Sequence, residues 1–166
     1  MSNSLIYPMM AHIGLTALLY VLLTVVRAPS IWGLGRRLDG SNRWANVEPR
    51  ISANLSNQFE WPLFFYVACL ILLLEQRAVE RLPLLLAWVF VAGRLLHTYV
   101  QIFTTNVRLR GIVFTVNFVA VLAMWLWLLL AGLGQAAHDK EVLEVVRCQS
   151  VTHERALPLK TFGERV

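Results

Sequence analysis

The chain has 166 residues, of which 57% are hydrophobic and only 15% charged, with a mean hydropathy of +0.58, whereas soluble domains carry roughly 25% charged residues. That balance excludes an ordinary soluble domain and identifies a membrane protein, and the length leaves room for one small helical bundle. The formal net charge of +5 sits mostly in loops and tail, where membrane topology accounts for it, so no nucleic-acid partner is expected.

The first apolar run, about 4–26, has no basic residue ahead of it and no small-residue cleavage site behind it, since Arg27, Ala28 and Pro29 follow. It reads as a retained helix. His12 lies within it and receives no role. From 27 to about 49 the chain is polar and turn-rich, with Pro29, Gly33, Gly35, Asp39 and Gly40 beside Arg36, Arg37 and Arg43, which predicts a loop on the charged side of the membrane. A second helix is expected from about residue 51 to 74. Asn57 and Glu60 would share one of its faces, and Pro62 frees the carbonyl of Gln58 and predicts a kink beside Glu60.

Glu75, Gln76, Arg77, Glu80 and Arg81 form a charged turn, and Pro83 suits the first turn of the third helix, which is expected over 82–103. That helix carries Arg94, His97, Thr98 and Gln101 at i, i+3, i+4, i+7, one polar stripe. An unpartnered arginine at a membrane-helix centre costs roughly 2.5–3.5 kcal/mol, so such a group faces the bundle interior by default. A connection over 104–110 bears Arg108 and Arg110. The fourth run, 111–133, holds Asn117, which suits an interhelical hydrogen bond or a ligand contact, and Trp125 and Trp127 near its far end.

The expectation is thus an all-α, integral membrane four-helix bundle over residues 1–133, followed by a largely disordered tail over 134–166. Cys69 falls in an apolar run and Cys148 in the tail, so neither a disulfide framework nor a metal site is indicated. Basic residues concentrate in the loops between the first and second and between the third and fourth helices, which places those loops in the cytoplasm and both termini on the opposite side.

Asn57, Glu60, Arg94, His97, Arg108 and Arg110 belong to one half of the membrane and could converge on a small zwitterionic ligand, guanidinium groups meeting carboxylates and Glu60 an ammonium. Spacing alone leaves open that Glu60 and Arg94 form a buried ion pair that only fixes helix register. A small transporter with Arg94 and His97 on an ion path is the weakest reading, because no carboxylate completes a proton relay.

Three segments, NLSNQFEWPLFF over 54–65, RLLHT over 94–98 and VRLRGIVF over 107–114, resemble motifs of the MAPEG family, the membrane-associated proteins of eicosanoid and glutathione metabolism. The resemblance covers about residues 5–133. It implies a homotrimer in the lipid bilayer, with glutathione as co-substrate bound between subunits and a hydrophobic small-molecule electrophile as the other substrate. On that resemblance Arg50, Asn57, Glu60, Arg94 and His97 hold glutathione, with Glu60 at its amino group and Arg94 at a carboxylate, while Arg110 is the catalytic residue that stabilises the thiolate. A free thiol titrates near 8.5 and a close cation lowers that value. The chain also departs from the family pattern: Gln101 and Phe114 stand where many active members have tyrosine, and Gly111 where some have serine. The implied activity is a glutathione transferase or peroxidase; the alternative is a non-catalytic member that binds a thiol or lipid in a structural or regulatory role.

Overall fold

A computed structural model describes residues 4–77 and 80–156. The regular elements of the described residues are all helices: α1 (Ile6–Trp32), α2 (Glu48–Asn57), α3 (Pro62–Leu74), α4 (Arg81–Phe103) and α5 (Val107–Ala156). Four stretches are long and apolar enough to cross a membrane, α2 and α3 together making one of them, from Glu48 to Leu74. At 1.5 Å per residue, the 27 residues of α1 extend about 40 Å, enough for a hydrocarbon core of about 30 Å and its interfaces.

Several boundaries differ from the sequence reading. The first helix runs past Arg27 and Pro29 to Trp32 and stops at Gly33, whose φ of 71° provides the left-handed cap that glycine adopts without strain. Arg27 therefore projects from a helix and pairs with Glu48 at 2.8 Å, stapling the end of α1 to the start of α2. The second helix begins three residues before the expected Ile51, with Pro49 in its first turn. Arg108 and Arg110 lie in the first turn of α5 and not in the preceding connection. In the loop after α1, Ser41 donates both its amide and its hydroxyl to Asp39 Oδ1, at 2.9 and 2.6 Å.

The chain divides into two units, Met1–Leu128 and Leu129–Val166. In the first, the core has two parts. Phe65, Ala68, Cys69 and Leu72 of α3 pack with Ala87, Phe90 and Val91 of α4 and Ala120, Val121 and Met124 of α5. Leu15, Leu19, Leu23 and Val26 of α1 pack with Ile51 and Leu55 of α2 and Ile102 of α4. Buried polar side chains occupy the chain positions between these clusters: Asn54 and Gln58, then Arg94, His97 and Gln101. In the second unit the expected disordered tail from residue 134 meets a helix that continues to Ala156; residues 157–166 lie outside the described residues.

Candidate functional site

The site begins where the second span breaks. Pro62 has no N–H to continue the ladder, and residues 58–61 leave the helix between α2 and α3. Asn57 and Glu60 therefore do not share one continuous helical face. Asn57 ends α2, and Glu60 stands exposed in the break.

A helix end leaves its last carbonyls without partners inside the helix; here the amides of Gln58 and Phe59 take those of Leu55 and Ser56, and Arg94 takes that of Asn57. Its side chain is completely buried. Nη2 donates to the Asn57 carbonyl at 2.6 Å and to Gln58 Oε1 at 2.8 Å, and Nε donates to the same Gln58 oxygen at 3.1 Å. A cation at a helix C-terminus is also favoured by the helix dipole. The register-fixing ion pair between Glu60 and Arg94 is not formed as a direct salt bridge; Arg27 with Glu48 and Arg77 with Glu75 and Glu80 do form direct pairs.

Arginine can only donate hydrogen bonds, and this fixes the sense of a longer network. Gln58 must present its oxygen to Arg94, so its amide nitrogen donates to Asn54 Oδ1 at 2.8 Å. Thr98 donates to the same Asn54 oxygen at 3.2 Å. His12 meets Gln58 Oε1 through Nε2 at 3.0 Å, so Nε2 carries the proton and Nδ1 accepts the Tyr66 hydroxyl, 2.7 Å away. The network spans α1, α2, the break, α3 and α4.

Above it lies a hollow of about 620 Å³ lined by Ser56 and Asn57 of α2, His97 and Gln101 of α4, and Arg110, Gly111 and Phe114 of α5. A second hollow, of about 370 Å³, shares Gln101 and Arg110 with the first and adds Arg50. His97 Nδ1 and Gln101 Oε1 are buried with no protein partner. Such atoms are costly unless something binds them, so the hollow offers a donor-or-acceptor nitrogen, an amide oxygen and a guanidinium to a polar ligand. Its size falls in the roughly 300–1,000 Å³ range of small-molecule sites.

The structure thus gathers Arg50, Asn57, His97 and Arg110 around two joined hollows. Arg94 lies one turn before His97 and is absent from both linings, as is the exposed Glu60. Tyr99 is 59% exposed and rests against Phe103, away from the stripe. Asn117 makes no interhelical hydrogen bond: its amide bonds Val113 O in its own helix at 3.0 Å, while its oxygen, buried without a partner, abuts Gly93 of α4. Sequence reasoning missed Gln58, Ser56 and His12. For Gln58 a signal existed: it lies four residues after Asn54, on the same face, in a segment that had to supply an acceptor to an arginine with no carboxylate at its own depth.

No curated protein and no solved structure matches the chain. The family model described as the MAPEG family matches residues 5–130. That match takes in all four membrane-crossing segments through residue 130 and every residue of the two polar hollows, and so the chain is an integral, multi-pass membrane protein that belongs to the MAPEG family.

Proposed function

We propose that the chain is a membrane-bound glutathione transferase or peroxidase, active as a homotrimer on hydrophobic electrophiles that reach it through the bilayer. The observation that carries this reading is the hollow where Asn57, His97 and Arg110 meet beside two unpartnered buried polar atoms, in a chain of a family associated with glutathione. Asn57, His97 and Arg50 would hold the polar backbone of glutathione. Glu60, exposed in the break three residues after Asn57, carries the charge to meet its ammonium. Arg110 would lie by the sulfur, where a guanidinium stabilises the thiolate that attacks an electrophile. Sidedness follows the arginine distribution, with the loop after α1 and the connection before α5 in the cytoplasm.

Calorimetric titration of glutathione into the reconstituted protein, in buffers of different ionisation enthalpy, counts protons released on binding. Binding with proton release at neutral pH, lost in Arg110→Ala, is the expected result. Binding without release favours a second reading, a non-catalytic thiol-binding member, which draws on the presence of Gly111 and Phe114 in the hollow's lining where hydroxyl groups would assist the thiol. No binding refutes both. Mass measurement of the protein in detergent tests the trimer.

A further inference from the structure

Arg94 is a completely buried cation in a membrane-crossing helix, costly there unless its donors are met, and its bonds run to the protein's own groups at the α2–α3 break. Two of its three nitrogens are committed: Nη2 bonds both the Asn57 carbonyl and Gln58 Oε1, and Nε bonds the same Gln58 oxygen, while Nη1 is buried without a protein partner. The partner, Gln58, is 3% exposed and is tied on its other sides to Asn54 and, through His12, to Tyr66. One amide oxygen thus takes donors from α1 and α4 while its own residue sits in the break between α2 and α3. Asn57, whose carbonyl Arg94 holds, is the residue that this segment contributes to the hollow.

We propose that Gln58, backed by His12, is a positioning residue that locks Arg94 onto the α2–α3 break, and that Arg94 acts through this clamp to set Asn57 in the hollow without itself touching the ligand. The ligand identity rests on the glutathione reading above; the clamp does not. Freed from Arg94, the Asn57 carbonyl would lose the partner that this end of α2 gives it, an unsatisfied polar group that is costly inside a membrane protein, and the chain around 57–60 would repack to satisfy it. Asn57 would then lose its place although no ligand-contacting group had been removed.

Two variants separate the roles. In Gln58→Leu the acceptor is gone. In Gln58→Glu a carboxylate still accepts from Arg94 and His12, and Asn54, whose amide nitrogen is unpartnered in the native protein, can turn that nitrogen toward the new oxygen. Affinities are measured by calorimetry for glutathione and for analogues with either carboxylate masked as an amide. Gln58→Leu is expected to weaken all of these by a common factor of about tenfold or more, the scale of a lost buried bond to a charged group, and Gln58→Glu to recover to within about threefold of the native protein. If Gln58→Leu instead abolishes the preference for glutathione over a masked analogue, Arg94 touches that carboxylate and the proposal is overturned; unchanged affinity overturns it as well.

A measurement without ligand stands apart from the glutathione reading. In nanodiscs, hydrogen exchange by nuclear magnetic resonance follows the Arg94 Nε–H together with the backbone amides of Gln58 and Phe59, which bond to Leu55 O and Ser56 O. The native protein and Gln58→Glu should protect all three. His12→Leu, which removes the outer bond to Gln58 together with the one to the Tyr66 hydroxyl but leaves every bond of Arg94 in place, should speed exchange at all three several-fold, and it serves if Gln58→Leu does not fold. Rapid exchange of the Arg94 Nε–H in the native protein, or break amides indifferent to His12→Leu, would overturn the clamp whether or not glutathione binds.

Discussion

Replacing Gly93 by alanine tests the packing that brings α4 and α5 together around the hollow. A Cβ built at Gly93 would stand 2.4 Å from Asn117 Oδ1 and 3.1 Å from its Cγ, closer than such atoms approach. Asn117 is short and completely buried, and its amide is bonded to Val113 O, so it can yield only by giving up that bond or by pushing the helices apart. Overpacking of this kind costs about 1–3 kcal/mol, and the lost bond adds about 1 kcal/mol. Against these stands a helix-propensity gain of up to about 1 kcal/mol for alanine over glycine. Gly93→Ala should therefore destabilise by about 1–3 kcal/mol, read as a lower midpoint in detergent-induced or thermal unfolding of the reconstituted protein. Adding Asn117→Ala removes the obstructing group and should bring the double variant back to the level of Asn117→Ala alone, a coupling visible in a double-mutant cycle. A neutral or stabilising Gly93→Ala, or a double variant in which the two effects simply add, would refute the reasoning.

The Arg27–Glu48 staple is partly exposed, with side chains 42% and 30% accessible, so Glu48→Gln should cost at most about 1 kcal/mol, shrinking further at high salt; a salt-independent loss would count against a simple ion pair. Ser41's two hydrogen bonds hold the Asp39 carboxyl below its ordinary value of 3.8. Because the folded value is depressed, the loop gains stability from it above that pH and loses it as the pH falls through the lower folded value. A carboxyl-carbon titration by nuclear magnetic resonance should give a midpoint under 3.8 that rises in Ser41→Ala. Sidedness is testable with a membrane-impermeant thiol reagent once Cys148, the cysteine of the tail, is replaced by alanine: in intact cells of that background, Gln76→Cys should label and Ser41→Cys should label only after lysis. The reverse pattern would invert the proposed topology.

The residue pattern by itself determined the architecture at the level of spans. Long apolar runs in water have no alternative to a bilayer, and in a bilayer the backbone must bond internally, so helices follow. Proline and charged turns marked the breaks, as Pro62 did for α2 and α3, and the i, i+3, i+4, i+7 recurrence identified Arg94, His97 and Gln101 as an inward stripe whose three side chains are all buried. Boundaries were less legible, since a membrane helix ends where capping and packing allow. Arg27 could continue α1 because Glu48 was there to meet it.

Only the tertiary structure decided what the stripe faces. The sequence invited a search for a carboxylate, because charge pairs with charge; the fold provided a broken helix end and a glutamine, partners that exist only once α2 stops beside α4. Gln58 and His12 lie 46 positions apart in the chain and Gln58 and Arg94 lie 36 apart. Each alone is an ordinary polar residue, and the donor-only chemistry of arginine acquires a direction only when all three are brought within hydrogen-bond reach.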